Sequence, residues 1–166
     1  TTERVEQKLP DNFAELHDQA IEVLQRLISI PSLSKEEDKT ADFIEHFLQG
    51  KGVKVHRQKN NVWSFNQHYN PLLPTILLNS HHDTVKPNSG YTLDPFTPII
   101  KDGKFYGLGS NDAGGALVSL MAAFLYFYGK EDLKYNFIYA ATAEEENSGL
   151  DGVESVLKHF GEIEFA

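Results

Sequence analysis

Cysteine is absent from the chain. A disulfide framework and a thiolate zinc site are both excluded, so any metal must be held by His, Asp or Glu. Positive charge is scarce: 15 Lys and Arg stand against 24 Asp and Glu, for a net charge of -9. A phosphate backbone needs a basic face, so no nucleic-acid partner is expected, and an anionic membrane surface is disfavoured for the same reason. The longest apolar run, Ala116 to Tyr128, is too short to span a bilayer, so no membrane partner is expected. No Gly-x-Ser-x-Gly elbow of a serine hydrolase occurs. The Gly-x-Gly of Gly107 and Gly109 lacks the third glycine of a dinucleotide loop, whose place is taken by Asp112. Thr1-Thr2-Glu3-Arg4 offers no apolar h-region, so no signal peptide is expected. It has no initiator Met either, and reads as a processed, trimmed or engineered start.

What is present suits one globular domain. The chain has 166 residues, 40% hydrophobic and 23% charged, enough for a sizeable core. Apolar residues from Phe13 to Ile28 follow a helical period after Pro10-Asp11, and Ile30-Pro31 ends the run. Ser34-Lys35-Glu36-Glu37 has the form of a capping box before a second amphipathic helix that Gly50 and Gly52 stop. Val53 to Arg57 and Val62 to Phe65 read as strands, and Thr75 to Ser80 and Lys134 to Thr142 as central ones. Ile99 to Tyr106 reads as a hairpin turning at Asp102-Gly103. Ala116 to Tyr128 reads as a buried helix, Gly149 to Phe160 as another, and Ile163 to Ala166 as a strand beginning. The alternation predicts an α/β domain with a mainly parallel sheet flanked by helices.

The chemistry gathers at strand ends. Leu77 to Val85 is a buried strand running into His81-His82-Asp83. His81 can offer a neutral imidazole to a metal, and Asp83 can hold its other nitrogen or lie beneath the metal. The His-x-Asp spacing selects His81, and alternation turns His82 to the other side. His17, His46, His56, His68 and His159 lie in amphipathic or polar stretches and read as surface or boundary residues. Asp112 follows the hairpin and precedes the buried helix, where it could also be only an N-cap. Glu144-Glu145-Glu146 follows the other central strand. Such triplets are usually solvated loops, but three like charges against a core strand are costly unless a cation offsets them. In open α/β sheets ligands gather at the carboxyl ends of strands, so these loops are expected to converge. A His and carboxylate site without sulfur suits zinc, with cobalt or manganese as substitutes. A pair of such ions can activate a shared water, and an adjacent free Glu can relay its proton.

These motifs resemble the N-terminal half of the co-catalytic zinc deacylases and exopeptidases, the family of acetylornithine deacetylase and succinyl-diaminopimelate desuccinylase. The resemblance runs through Leu27 to Ser32, Ser80 to Pro87, Tyr106 to Asp112 and Ala141 to Gly149. It implies zinc ligation by His81, Asp112 and Glu146, with Asp112 bridging two Zn2+ and followed by a peptide that is often cis. It implies Glu145 as general base and Asp83 as the carboxylate behind His81. The implied reaction is hydrolysis of the amide of an N-acyl amino acid. N-acetylornithine or N-succinylornithine deacylation in arginine biosynthesis is the first expectation. A metal-dependent dipeptidase or carboxypeptidase, or a non-catalytic relative that kept the fold, is the alternative.

Two departures touch no ligand: Leu108 stands where the family often has Arg, and Ala113-Gly114-Gly115 where it often has Lys. The family also uses a further carboxylate and a late histidine as ligands, and a lid domain that often dimerises; none of these is found here. Residues 1–166 are therefore expected to be a partial, single catalytic domain that alone binds metal poorly and hydrolyses little. A cytoplasmic location and a homodimer formed through the lid are expected for the full-length protein.

Overall fold

The computed structural model describes residues 12–166. Thr1-Thr2-Glu3-Arg4 and the Pro10-Asp11 start expected for the first helix lie outside the described residues. Helix α1 (Phe13–Ile28) is capped by Asn12, whose side chain accepts the Glu15 N–H at 2.7 Å. Its apolar stripe buries Leu16, Val23, Leu24, Leu27 and Ile28. Helix α2 (Asp38–Gly50) buries Ala41, Ile44 and Leu48.

Four strands form the main sheet: β1 (His56–Gln58), β2 (Asn61–Phe65), β3 (Thr75–His81) and β6 (Asn136–Thr142), in the order β1-β2-β6-β3. A hairpin, β4 (Ile99–Lys101) and β5 (Lys104–Tyr106), stands apart as its own sheet. It turns as expected at Asp102-Gly103, both with positive φ. Helix α3 (Gly115–Phe127) crosses from β3 toward β6, which is why those strands pair in parallel. Helix α4 (Val153–Val156) and one further turn follow β6.

The α/β architecture is as expected, but the sheet is mixed rather than mainly parallel. The turn at Lys59-Asn60 is too short for a parallel crossover, so β1 and β2 pair antiparallel, and β2 also runs antiparallel to β6. On the far side of β3, Ile76 bridges Phe165 in parallel, so the apolar end of the chain does begin to join the sheet. Alternation along β6 separates two cores. Tyr139 and Ala141 face α1, α2 and α3, while Ile138 and Ala140 meet Trp63, Leu77, Val156 and Phe160.

Three local expectations are corrected. Strand β1 starts at His56 rather than Val53, because the Lys54 N–H is taken by the Tyr128 hydroxyl at 3.1 Å. The helix expected over 149–160 shrinks to α4 and its extra turn, since its first residues close turns instead, Gly149 N–H to Glu144 O at 2.9 Å and Gly152 N–H to Gly149 O at 3.3 Å. The Ser34 to Glu37 capping box does not form. Helix α2 starts at Asp38 with no side-chain cap, and both Ser34 and Glu37 point into the interior to hold other groups.

Candidate metal centre

Strands β3 and β6 run in register, and their last pair is His81 with Thr142. The segments that leave them, 82–85 and 143–146, therefore emerge side by side. The turn 110–114, between β5 and α3, reaches the same place from above Ser80, whose hydroxyl donates to the Ala113 carbonyl at 3.4 Å. The peptide Asp112-Ala113 is cis. The three loops converge as expected.

His81 is buried at the centre. Its Nδ1 lies 3.1 Å from the Asp83 carbonyl oxygen and 3.2 Å from Asp83 Oδ1. Its Nε2 faces Asp112 Oδ1 at 3.1 Å and Glu145 Oε2 at 3.6 Å. The hydrogen bond to Asp83 raises the imidazole to about 9 against the opposing effect of burial, with Asp112 and Glu145 adding to the rise. Burial works against the Asp83 carboxylate, but hydrogen bonds from His81, Ser34 and the N–H groups of Glu146 and Glu145 outweigh it and hold the group at about 2. Glu146 is raised, first by burial and then by Asp112, with Asp83 and Glu145 acting the same way and His81 opposing.

Among the described residues, the donor atoms of His81, Glu145 and Glu146 lie within 4.8 Å of one another. The ligand trio expected from the sequence was His81, Asp112 and Glu146. All four side chains meet here, with Asp112 reaching the cluster through His81 and its own side chain 75% exposed. The donor set is one imidazole and several carboxylates, with Glu146 raised first by burial and then by its acidic neighbours. A divalent cation relieves that repulsion, so these residues fit a metal of the kind that prefers nitrogen and oxygen ligands. With Nδ1 held as donor by Asp83, the Nε2 of a neutral His81 is aimed into the cluster. A cleft of about 530 Å³ opens beside it, lined among others by Val85, Tyr91, Leu93, Tyr106, Asp112 and Glu146.

His82 turns away, as alternation required. It is buried, its Nε2 donates to the Asn60 carbonyl at 2.8 Å, and its Nδ1 accepts from the Thr40 hydroxyl at 2.8 Å. Burial lowers its pKa, so it stays neutral. His17, His46, His68 and His159 are exposed, and His56 is half-buried against Trp63. Sequence reasoning missed Ser34, Glu37 and Asn61. Ser34 Oγ donates to Asp83 Oδ2 at 2.8 Å, and Asn61 Oδ1 accepts the Ala143 N–H at 3.0 Å. No local signal marks them, because each acts on a segment distant in the chain.

The His and carboxylate cluster lies where two parallel strands of a mixed α/β sheet end, the place where such folds gather their ligands. Residues 77–165, more than half of the chain, match the model of peptidase family M20/M25/M40. The chain belongs to that family. It is 30% identical over 145 residues to a succinyl-diaminopimelate desuccinylase of Buchnera aphidicola subsp. Acyrthosiphon pisum, covering 83% of this chain and 38% of the relative. It is 31% identical over 144 residues to the enzyme of that name from Wigglesworthia glossinidia brevipalpis, covering 82% and 37%. The chain thus spans well under half the length of these curated relatives. Its fold is similar to human carnosine dipeptidase 1, with TM-score 0.68, 22% identity, and coverage of 89% of this chain and 36% of that one. A dinuclear metal-binding peptidase of the M20 family from Bacillus subtilis aligns with TM-score 0.64 and 19% identity, covering 87% and 40%. No helix among the described residues is long and apolar enough to cross a membrane.

Proposed function

We propose that the whole protein is a zinc-dependent amide hydrolase that deacylates an N-acyl amino acid, and that residues 12–166 supply the first part of its active site. The observation that carries this reading is the meeting of His81, Asp112, Glu145 and Glu146 at the ends of β3 and β6. His81, Asp112 and Glu146 would hold the metal, with Asp112 shared between two ions. When bound, such ions polarise the amide carbonyl and acidify a water. Glu145 would take a proton from the attacking water and pass it to the departing amine. Asp83 keeps His81 oriented through Nδ1. Cobalt or manganese would substitute for zinc at the same ligands.

Two lines support a diamino acid as the substrate's amine part. The relatives are desuccinylases of an N-succinylated diamino acid. The wording of Ser80 to Pro87 and Tyr106 to Asp112 resembles acetylornithine deacetylase. We place N-acetylornithine first, then N-succinylornithine and N-succinyl-diaminopimelate. The test is hydrolysis by the zinc-loaded whole protein of these compounds against dipeptides. Replacing Glu145 with Gln should lower kcat by about 100- to 10,000-fold, the usual worth of a general base, with zinc content unchanged. Equal turnover in E145Q, or preference for dipeptides, would sink the respective half of the proposal.

A further inference from the structure

The loop that carries the glutamates is held by something none of its motifs announces. Four consecutive backbone N–H groups end on buried side chains. Ala143 donates to Asn61 Oδ1 at 3.0 Å, Glu144 to Glu37 Oε1 at 3.2 Å, Glu145 to Asp83 Oδ1 at 3.1 Å and Glu146 to Asp83 Oδ2 at 3.1 Å. Asn61, Glu37 and Asp83 are each at most 1% exposed. Asp83 is explained by its contact with His81. Among the described residues Glu37 makes no hydrogen bond to a side chain of the metal cluster, yet it is a carboxylate at 0% exposure, a placement that needs a reason.

Its partners supply one. Glu37 Oε1 accepts both the Glu144 N–H and, at 2.6 Å, the Lys35 N–H. Lys35 and Glu144 both hold left-handed backbone, with φ of 77° and 57°. Non-glycine residues keep such conformations only where their surroundings fix them, and one carboxylate oxygen takes the amides of both. The other oxygen, Oε2, accepts from Asn60 Nδ2 at 3.0 Å. Asn60 is anchored in turn, because its carbonyl accepts from His82 Nε2, and His82 is fixed by Thr40. The chain of bonds runs from the first turn of α2, through the residue beside His81, through the β1–β2 turn, to the residue before Glu145.

We propose that Glu37 is a positioning residue for the metal-site loop: its carboxylate fixes the turn at Glu144 from which Glu145 and Glu146 project. Asn60 and His82 form the strut behind it. The proposal rests on the reading of Glu145 and Glu146 as base and ligand. Glu37 contacts neither substrate nor metal in this account; it acts through the Glu144 backbone.

The test uses the whole protein with zinc, with E37Q, E37Q/N60D and E145Q beside it. In E37Q one oxygen remains to accept the two N–H groups, but an amide faces the Asn60 amide, donor against donor. N60D returns an acceptor. Expected in E37Q are a kcat lowered about tenfold with KM within about threefold, and weaker zinc retention against a chelator, at the low end for partners behind metal ligands. E37Q/N60D should recover most of both. Wild-type kcat and zinc retention in folded E37Q overturn the proposal. So does a kcat loss that only matches the unfolded fraction seen by circular dichroism, and so does a double variant no better than E37Q. If the functional reading fails instead, wild type and E145Q both show no hydrolysis, while the zinc-retention comparison of wild type, E37Q and E37Q/N60D still decides for or against Glu37.

Discussion

Glu145 and Glu146 hang from a loop whose amides at 143, 144, 145 and 146 are each taken up by a buried side chain. Asp112 sits on a turn with no comparable scaffold. Its side chain is 75% exposed, and the turn is shaped by close backbone packing instead. Gly109 has φ of +76°, and a Cβ at Gly114 would stand 2.6 Å from the Gly109 carbonyl oxygen and 2.7 Å from Leu24 Cδ1. One acidic loop is thus fixed by polar bonds from outside itself, the other by the absence of side chains within it. The lesson is that a carboxylate can be aimed into one cluster either by buried charge or by glycine, and the two fail in different ways.

Substitutions can break that contrast. The largest effect after loss of Glu145 is expected from Asp83→Ala. It removes the acceptor of two amides, those of Glu145 and Glu146, and leaves His81 without its orienting carboxylate. Stability should fall by about 3 kcal/mol, as when one partner of a buried ionic group is removed, and zinc affinity by about 10- to 100-fold. Chemical denaturation and chelator competition measure these. Gly114→Ala should come next, costing about 1 to 3 kcal/mol through overpacking. It should disturb the Asp112 side of the cluster alone, visible as weaker zinc retention with KM and kcat both altered. If D83A and G114A gave the same pattern of losses, the two loops would not be held differently.

A pH effect sharpens the role of His81. In the metal-free chain its pKa is raised from 6.5 to about 9. Its proton therefore stabilises the fold fully below pH 6.5, and that contribution disappears as pH rises through the window to about 9. Melting temperature with chelator present should decline across that window, and His81→Gln should remove this part of the slope. With zinc the trend reverses, because a cation must displace the same proton and is bound more tightly as pH rises. A chelated chain whose melting does not change between pH 6.5 and 9 would contradict the geometry around Nδ1 and Nε2.

Most of the site is legible in the residues because its parts sit where regular elements end. An apolar run such as Leu77 to Ser80 or Phe137 to Ala141 identifies a central strand, and its last residue identifies the mount. His81 over His82 follows from the His-x-Asp spacing and from alternation. Ser34-x-x-Glu37, by contrast, has the form of a cap, and nothing local says otherwise. The cap is lost because Asp83, 49 residues on, and Glu144, 107 residues on, compete for those side chains. The parallel expectation for the sheet failed for a related reason: alternation of elements predicts crossovers, but the Lys59-Asn60 turn admits none.

By itself the sequence determined where most of the strands and helices lie and which side chains offer metal-binding chemistry: periodicity and side-chain chemistry are local properties. The tertiary structure alone decided that Asp112 reaches His81 across the fold, that a hidden Glu37 braces the loop of Glu145 and Glu146, and that β2 runs against β6. Those outcomes depend on which distant donors and acceptors are shut away from water together, and a buried polar group takes whatever partner the packing brings within reach.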